Sequence, residues 1–217
     1  FATLPKVVAE GRRVVNNIQS ATSMYFMKTV YVIVVNLMLI ALHFGWGRTF
    51  GTPLTNTRVM LLEWIVVALP TTLLALQPNE NLIKGNFLVN VLKRCLPASC
   101  TFICTTAMLY LTKALTNPTM IPDNEQLSTL VTIAYTFGGL FALFGACMPF
   151  DRWWKKAMYA VISALVVLGV SLPFARDFFE YVTLTREQIL LLLVAILSSP
   201  FLLYFFTKLF NIRRGCK

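Results

Sequence analysis

The sequence predicts an all-α protein: a polytopic bundle of six transmembrane helices with both termini cytoplasmic. Three observations predict it. Apolar residues make up 57% of the 217 and charged residues only 13%, with a mean hydropathy of +0.70. Soluble domains carry roughly 45–50% and 25%, and a chain this short has no core large enough to hide such a surplus. Six stretches reach the roughly 20 apolar residues that a helix needs to cross a bilayer. Finally, the basic residues alternate between the two sides of a six-span arrangement, loop by loop.

The first span is expected from about Thr22 to Phe44, interrupted by Lys28 and Asn36. The second runs from about Val59 to Gln77 and contains Glu63. The others run from about Leu96 to Ala114, Leu127 to Phe150, Ala157 to Phe174 and Gln188 to Phe210. An even number of spans returns the chain to its starting side. That side holds thirteen Lys and Arg, among them Lys6, Arg12, Arg13, Lys84, Lys93, Arg94, Lys155, Lys156, Arg213, Arg214 and Lys217. The opposite side holds five: Arg48, Arg58, Lys113, Arg176 and Arg186. Cytoplasmic loops accumulate such charge, so the termini are assigned to the cytoplasm.

The same topology accounts for the net charge of +10. No basic stretch is interleaved with aromatics, so no nucleic-acid partner is expected. Residues 1–21 carry Lys6, Glu10, Arg12 and Arg13, unlike the apolar core of a signal peptide. They are expected to form a cytoplasmic linker leading in from a longer protein, with residues 22–217 as the transmembrane transport domain. Thr116-Asn117-Pro118 and Pro122-Asp123-Asn124 read as turns. Trp153 and Trp154, followed by Lys155 and Lys156, read as an anchor at the membrane interface. Gly138, Ala142 and Ala146 recur every four residues, a spacing that lets a neighbouring helix approach. The five cysteines, Cys95, Cys100, Cys104, Cys147 and Cys216, have no zinc or disulfide spacing and read as packing residues.

Glu63 is the most informative residue. An ionised carboxylate within a span costs roughly 2.5–3.5 kcal/mol on insertion scales, and such residues usually face the bundle interior on ion paths. Two plainer readings stand beside that one: Glu63 reaches water at the outer end, or it forms a static pair with Lys28. Pro70, seven residues on, removes a backbone donor and clashes with the carbonyl of Val66. A carbonyl freed in this way can turn to a cation. Lys28 either snorkels to the inner interface or serves as an internal counter-ion that occupies Glu63 when the transported cation leaves. Thr29 and Asn36 share a helix face and can add oxygen ligands to a hard cation; Asn36 can equally bond another helix. His43 is the single histidine, at the end of the first span, and reads as an interface residue. Thr101, Thr105 and Thr106 are expected to bond their own helix. No phosphate-binding loop, nucleophile elbow or zinc-protease motif is present.

The stretch Phe1-Ala2-Thr3-Leu4-Pro5-Lys6-Val7-Val8-Ala9-Glu10-Gly11-Arg12-Arg13-Val14-Val15-Asn16-Asn17-Ile18 resembles P-type ATPases, where it links the phosphorylation domain to the fifth span. Ala68-Leu69-Pro70 and Ala75-Leu76-Gln77-Pro78-Asn79 look like the sixth span and exit loop of a bacterial cation-transporting branch. The resemblance extends in order through six spans, its sharp motifs lying in the first third. It implies spans five to ten of a ten-span pump in the bacterial plasma membrane. It further implies upstream catalytic domains as partners, with ATP and magnesium as cofactors of the parent protein and none in this segment.

The phosphorylation, dephosphorylation and hinge motifs of the family are not in this chain. Aligned on Pro70, calcium pumps place Asn where Glu63 stands and Thr-Asp where Val66 and Val67 stand. Their fifth-span Asn and Glu fall near Thr29 and Val32. One strong ligand, Glu63, thus stands where calcium pumps have several. The expected cargo is a hard monovalent or divalent cation, with calcium the specific expectation. The alternatives are a self-contained six-span carrier or channel, and a structural membrane subunit.

Overall fold

The computed structural model describes residues 4–46, 52–76, 82, 85–116, 120–148, 150 and 152–210. Several residues used above lie outside these: Phe1, Ala2, Thr3, Arg48, Gln77, Pro78, Asn79, Lys84, Asn117, Pro118, Arg213, Arg214, Cys216 and Lys217.

Helix α1 runs unbroken from Leu4 to Trp46, 43 residues. At 1.5 Å per residue that is about 64 Å, twice the hydrocarbon thickness of a bilayer. From Leu4 onward the expected linker therefore continues into the first span as one rod. Pro5 sits in its first turn, where a missing N–H leaves no intrahelical bond unmade. The second span, Asn56–Ala75, is composite: α2 (Asn56–Met60), a π-helical segment (Leu61–Ala68) and α3 (Leu69–Ala75). The third span is α4, Phe87–Leu115. It begins about nine residues earlier than expected, so Lys93 and Arg94 stand within its second turn and not in a loop. The fourth is α5, Asn124–Cys147, and the fifth α6, Trp153–Ser171. Pro173 starts a separate short helix, α7 (Pro173–Phe178). The sixth span is α8, Arg186–Leu209. A capping box opens it, with Thr185 accepting from the Gln188 backbone and Gln188 reaching back to the Thr185 N–H. All six are long and apolar enough to cross a membrane, and no strand occurs among the described residues.

Two sets of hydrogen bonds fix the ends of the bundle. At one end, Asn17 donates to the Ala75 carbonyl at 2.6 Å and Arg13 to the Leu76 carbonyl at 3.4 Å. The early turns of α1 thereby satisfy carbonyls that the end of α3 leaves without helical donors. Arg94 donates to Ser20 at the same end. At the other end, Ser128 and Thr132 both donate to the Pro53 carbonyl, and Gln188 donates to Met120 and Gln126. Arg58, only 7% exposed, donates to the carbonyl of Glu180, while the Tyr181 hydroxyl donates to the carbonyl of Arg58. Glu180 adopts a left-handed φ of 56° in that turn.

Without a hydrophobic drive between helices in lipid, close packing decides which surfaces meet. Glycines do this at three points. A Cβ on Gly138 would stand 2.8 Å from the Phe102 ring, one on Gly139 2.5 Å from Leu62, and one on Gly169 2.7 Å from Leu61. Of the expected stripe of small residues, Gly138 and Ala142 pack into the bundle while Ala146 is exposed. Gly139, which the four-residue spacing leaves out, makes the contact that matters for the second span.

Gly139→Val forces Leu62 and Val66 aside and is expected to lower stability in detergent by about 1–3 kcal/mol. Gly11→Ala, with nothing within 4 Å of the new methyl, is expected to leave stability unchanged or raise it by up to about 1 kcal/mol. Thermal unfolding of the two variants checks both.

Candidate cation site in the second span

Glu63 lies in the π-helical segment and Lys28 faces it from α1. The Lys28 ammonium donates to Oε1 of Glu63. Each side chain keeps about a third of its surface uncovered, 36% and 34%. Lys28 therefore points inward to the carboxylate and does not run to the membrane interface. Around the pair the packing is apolar: Met24, Met27, Tyr31 and Val35 from α1, with Leu62, Val66 and Val67 from the second span.

The backbone beside Glu63 is altered as well. In a π-helix each N–H reaches back five residues in place of four, and Leu69 N–H donates to the Trp64 carbonyl. Pro70 has no N–H to give. The Ile65 carbonyl needs either Leu69 or Pro70 as its helical donor. Leu69 is engaged with Trp64 and Pro70 cannot donate, so Ile65 has neither. Pro70 is the α-register donor for the expected Val66 carbonyl and the π-register donor for Ile65, so its missing N–H bears on both. The Val66 side chain is fully buried and packs toward Gly139. Beyond the proline, threonine hydroxyls take up the next carbonyls, Thr71 on Val67 and Ala68, Thr72 on Ala68 and Leu69.

Thr29 and Asn36 stand apart from this group. Both are exposed on α1, and both side chains donate to their own helix, Thr29 to Tyr25 and Asn36 to Val32. The structure brings together Lys28, Glu63 and the π segment, with Pro70 just beyond it in α3, and leaves Thr29 and Asn36 on an uncovered face. Among the described residues no group of three or more His, Cys, Asp or Glu gathers. Among the described residues, the oxygens beside Glu63 are those of backbone and hydroxyl groups, which hard cations accept. Thr101 and Thr105 bond their own helix. Thr106 does not: its hydroxyl pairs with that of Tyr31 across to α1 at 2.8 Å.

No family model matches the chain. Curated proteins do. Over 188 residues the chain is 30% identical to the calcium-transporting ATPase CtpE of Mycolicibacterium smegmatis, and 29% identical to its namesake in Mycobacterium tuberculosis. The match covers 82% of this chain and 23% of each relative. Over 194 residues it is 26% identical to the probable cation-transporting ATPase exp7 of Streptococcus pneumoniae, across 87% of this chain and 24% of that protein. The chain is similar to cation-transporting ATPases. It spans about a quarter of the length of these relatives, and its six apolar helices make it a multi-pass integral membrane protein.

Sequence reasoning reached Glu63, Lys28 and Pro70 through the rarity of charge and proline in apolar runs. It passed over Ile65 and the aromatic residues beside the pair, because a π turn and a buried hydroxyl leave no mark on hydropathy. Pro70→Ala restores the missing donor. It is expected to slow hydrogen exchange through residues 61–70 and to raise thermal stability by about 1 kcal/mol or more. Hydrogen exchange read residue by residue checks it; unchanged protection at 61–70 would show that Pro70 does not hold the backbone open.

Proposed function

We propose that this chain is the membrane-embedded, ion-path portion of a P-type cation pump, and that Glu63 binds the transported cation in exchange with Lys28. The observation that carries the proposal is the ion pair itself, set beside a backbone carbonyl without a helical donor. A partly covered ion pair adds little stability, since its attraction is offset by the cost of taking both charges from water. A pair that must part to admit a cation explains why a carboxylate and an ammonium stand in an apolar layer. Glu63 supplies the charge, Ile65 a neutral oxygen, and Lys28 the positive charge that fills the site when the cation has gone.

The similarity to calcium-transporting and cation-transporting ATPases supports the pump reading, and the CtpE names favour calcium. In such a pump, an aspartate in upstream catalytic domains takes the terminal phosphoryl group of ATP, with magnesium as cofactor, and ADP leaves. The long rod of α1 suits the transmission of that event, because Asn17 and Arg13 near its start hold the last carbonyls of the second span. Movement of the rod would reach the π segment through α3. The uncovered third of Lys28 and Glu63 is where further spans of the longer protein would close the site. The reading places both termini in the cytoplasm of a bacterial plasma membrane. Val66 and Pro70 shape the site, while Thr29 and Asn36 are left for contacts on the uncovered face.

In the pump that carries this chain, Glu63→Gln is expected to raise the cation concentration for half-maximal phosphorylation by about tenfold or more, the equivalent of about 1.4 kcal/mol. Lys28→Met is expected to leave that concentration no higher while slowing turnover, because the internal replacement for the departing cation is gone. Cation-dependent phosphorylation and steady-state ATP hydrolysis measure the two effects. Equal loss of cation binding in both variants would show a static structural pair, and no loss in Glu63→Gln would remove Glu63 from the site.

A further inference from the structure

Tyr135 of α5 is 1% exposed, and its hydroxyl is buried with no hydrogen-bond partner. Leaving a buried hydroxyl without a partner is costly, and Phe would fill the same space without the penalty. The surroundings show where the hydroxyl belongs. The Tyr135 ring lies 4.4 Å from the Tyr31 ring and 4.7 Å from Phe102, centroid to centroid. Tyr31 stands three residues after Lys28, on the same face of α1. Gly139, four residues after Tyr135 and on the same face of α5, is the glycine against which Leu62 and Val66 pack. These two flank Glu63 in the π segment. Tyr135 therefore stands against Tyr31, one turn along α1 from Lys28, and one turn along α5 from the contact that seats the π helix. The Tyr31 hydroxyl is occupied by Thr106; that of Tyr135 is not.

We infer that Tyr135 is a positioning residue of the Glu63 site, whose hydroxyl donates to the Glu63 carboxylate once Lys28 has let go of it. Lys28 and a cation cannot hold the carboxylate in the same way. When the ammonium withdraws, one carboxylate oxygen loses its donor in an apolar layer. Tyr135 supplies a neutral donor there, fixing the orientation of the carboxylate without adding a positive charge that would repel the cargo. In the Lys28-bound state Oε1 of Glu63 is held by the ammonium, and the Tyr135 hydroxyl has no partner. This accounts for an unpaired hydroxyl in an otherwise well-packed core.

The inference rests on the assignment of Glu63 as the cation ligand, and the test separates the two. Tyr135→Phe removes the oxygen and keeps the ring. In the full-length pump it is expected to raise the cation concentration for half-maximal phosphorylation about fivefold, the scale of one net hydrogen bond. The maximal phosphorylation level should stay unchanged, and thermal stability should not fall. In a Glu63→Gln background the same change should add little. If Glu63→Gln shifts the cation dependence and Tyr135→Phe does not, Tyr135 is only a packed ring and the inference fails while the cation site stands. If Glu63→Gln shifts nothing, the site itself is misassigned and the inference falls with it. If Tyr135→Phe acts as strongly with Gln at 63 as with Glu, the hydroxyl works through another group, which also overturns the inference.

Discussion

An ammonium and a carboxylate face each other inside an apolar layer, and the local structure is arranged around that pair. Either group alone would carry an insertion cost of roughly 2.5–3.5 kcal/mol, so neither is stable there without a partner. Together Lys28 and Glu63 join α1 to the second span at mid-bundle, the region where both helices are otherwise apolar. The pair is only partly covered, and the attraction between its members is weakened accordingly. That combination suits an interaction that must be broken and remade.

The second span is built to allow it. A regular α-helix through Glu63 would present a closed ladder of backbone bonds and no oxygen for a ligand. The π segment from Leu61 to Ala68 widens the turn, and Pro70, two residues beyond it, supplies no donor. A widened helix has a larger girth and needs room beside it. Gly139 and Gly169 provide that room, since methyl groups there would collide with Leu62 and Leu61. Unusual backbone, proline and glycines are thus parts of one arrangement, each needed for the others to be accommodated.

The six spans were legible in the sequence because hydropathy reports transfer into lipid directly, and a helix must satisfy its own backbone there. Glu63, Lys28 and Pro70 were legible for the complementary reason: each is costly in such a segment. What was not legible depends on neighbours. The early start of α4 escaped because Lys93 and Arg94 look like loop residues until Arg94 is seen to reach Ser20. That Ile65 joins Val66 as a carbonyl deprived by Pro70 follows from the π register. Thr106 was expected to bond its own helix, yet Tyr31 from α1 claims its hydroxyl. Thr29 and Asn36 were placed with Glu63 by a shared face on a helical wheel; on the structure they lie on the uncovered face, bonded to their own helix. Periodicity gives the faces of a helix but not which face its neighbours choose.

The central claim is that Lys28 and a cation take turns on Glu63. It is tested most directly by structures of the full-length pump with and without bound cation. The account predicts that in the cation-loaded state the Lys28 ammonium stands outside hydrogen-bond distance of Glu63, with the ion held between the Glu63 carboxylate and the Ile65 carbonyl. A loaded state in which Lys28 still holds Glu63, with the cation elsewhere, would contradict it.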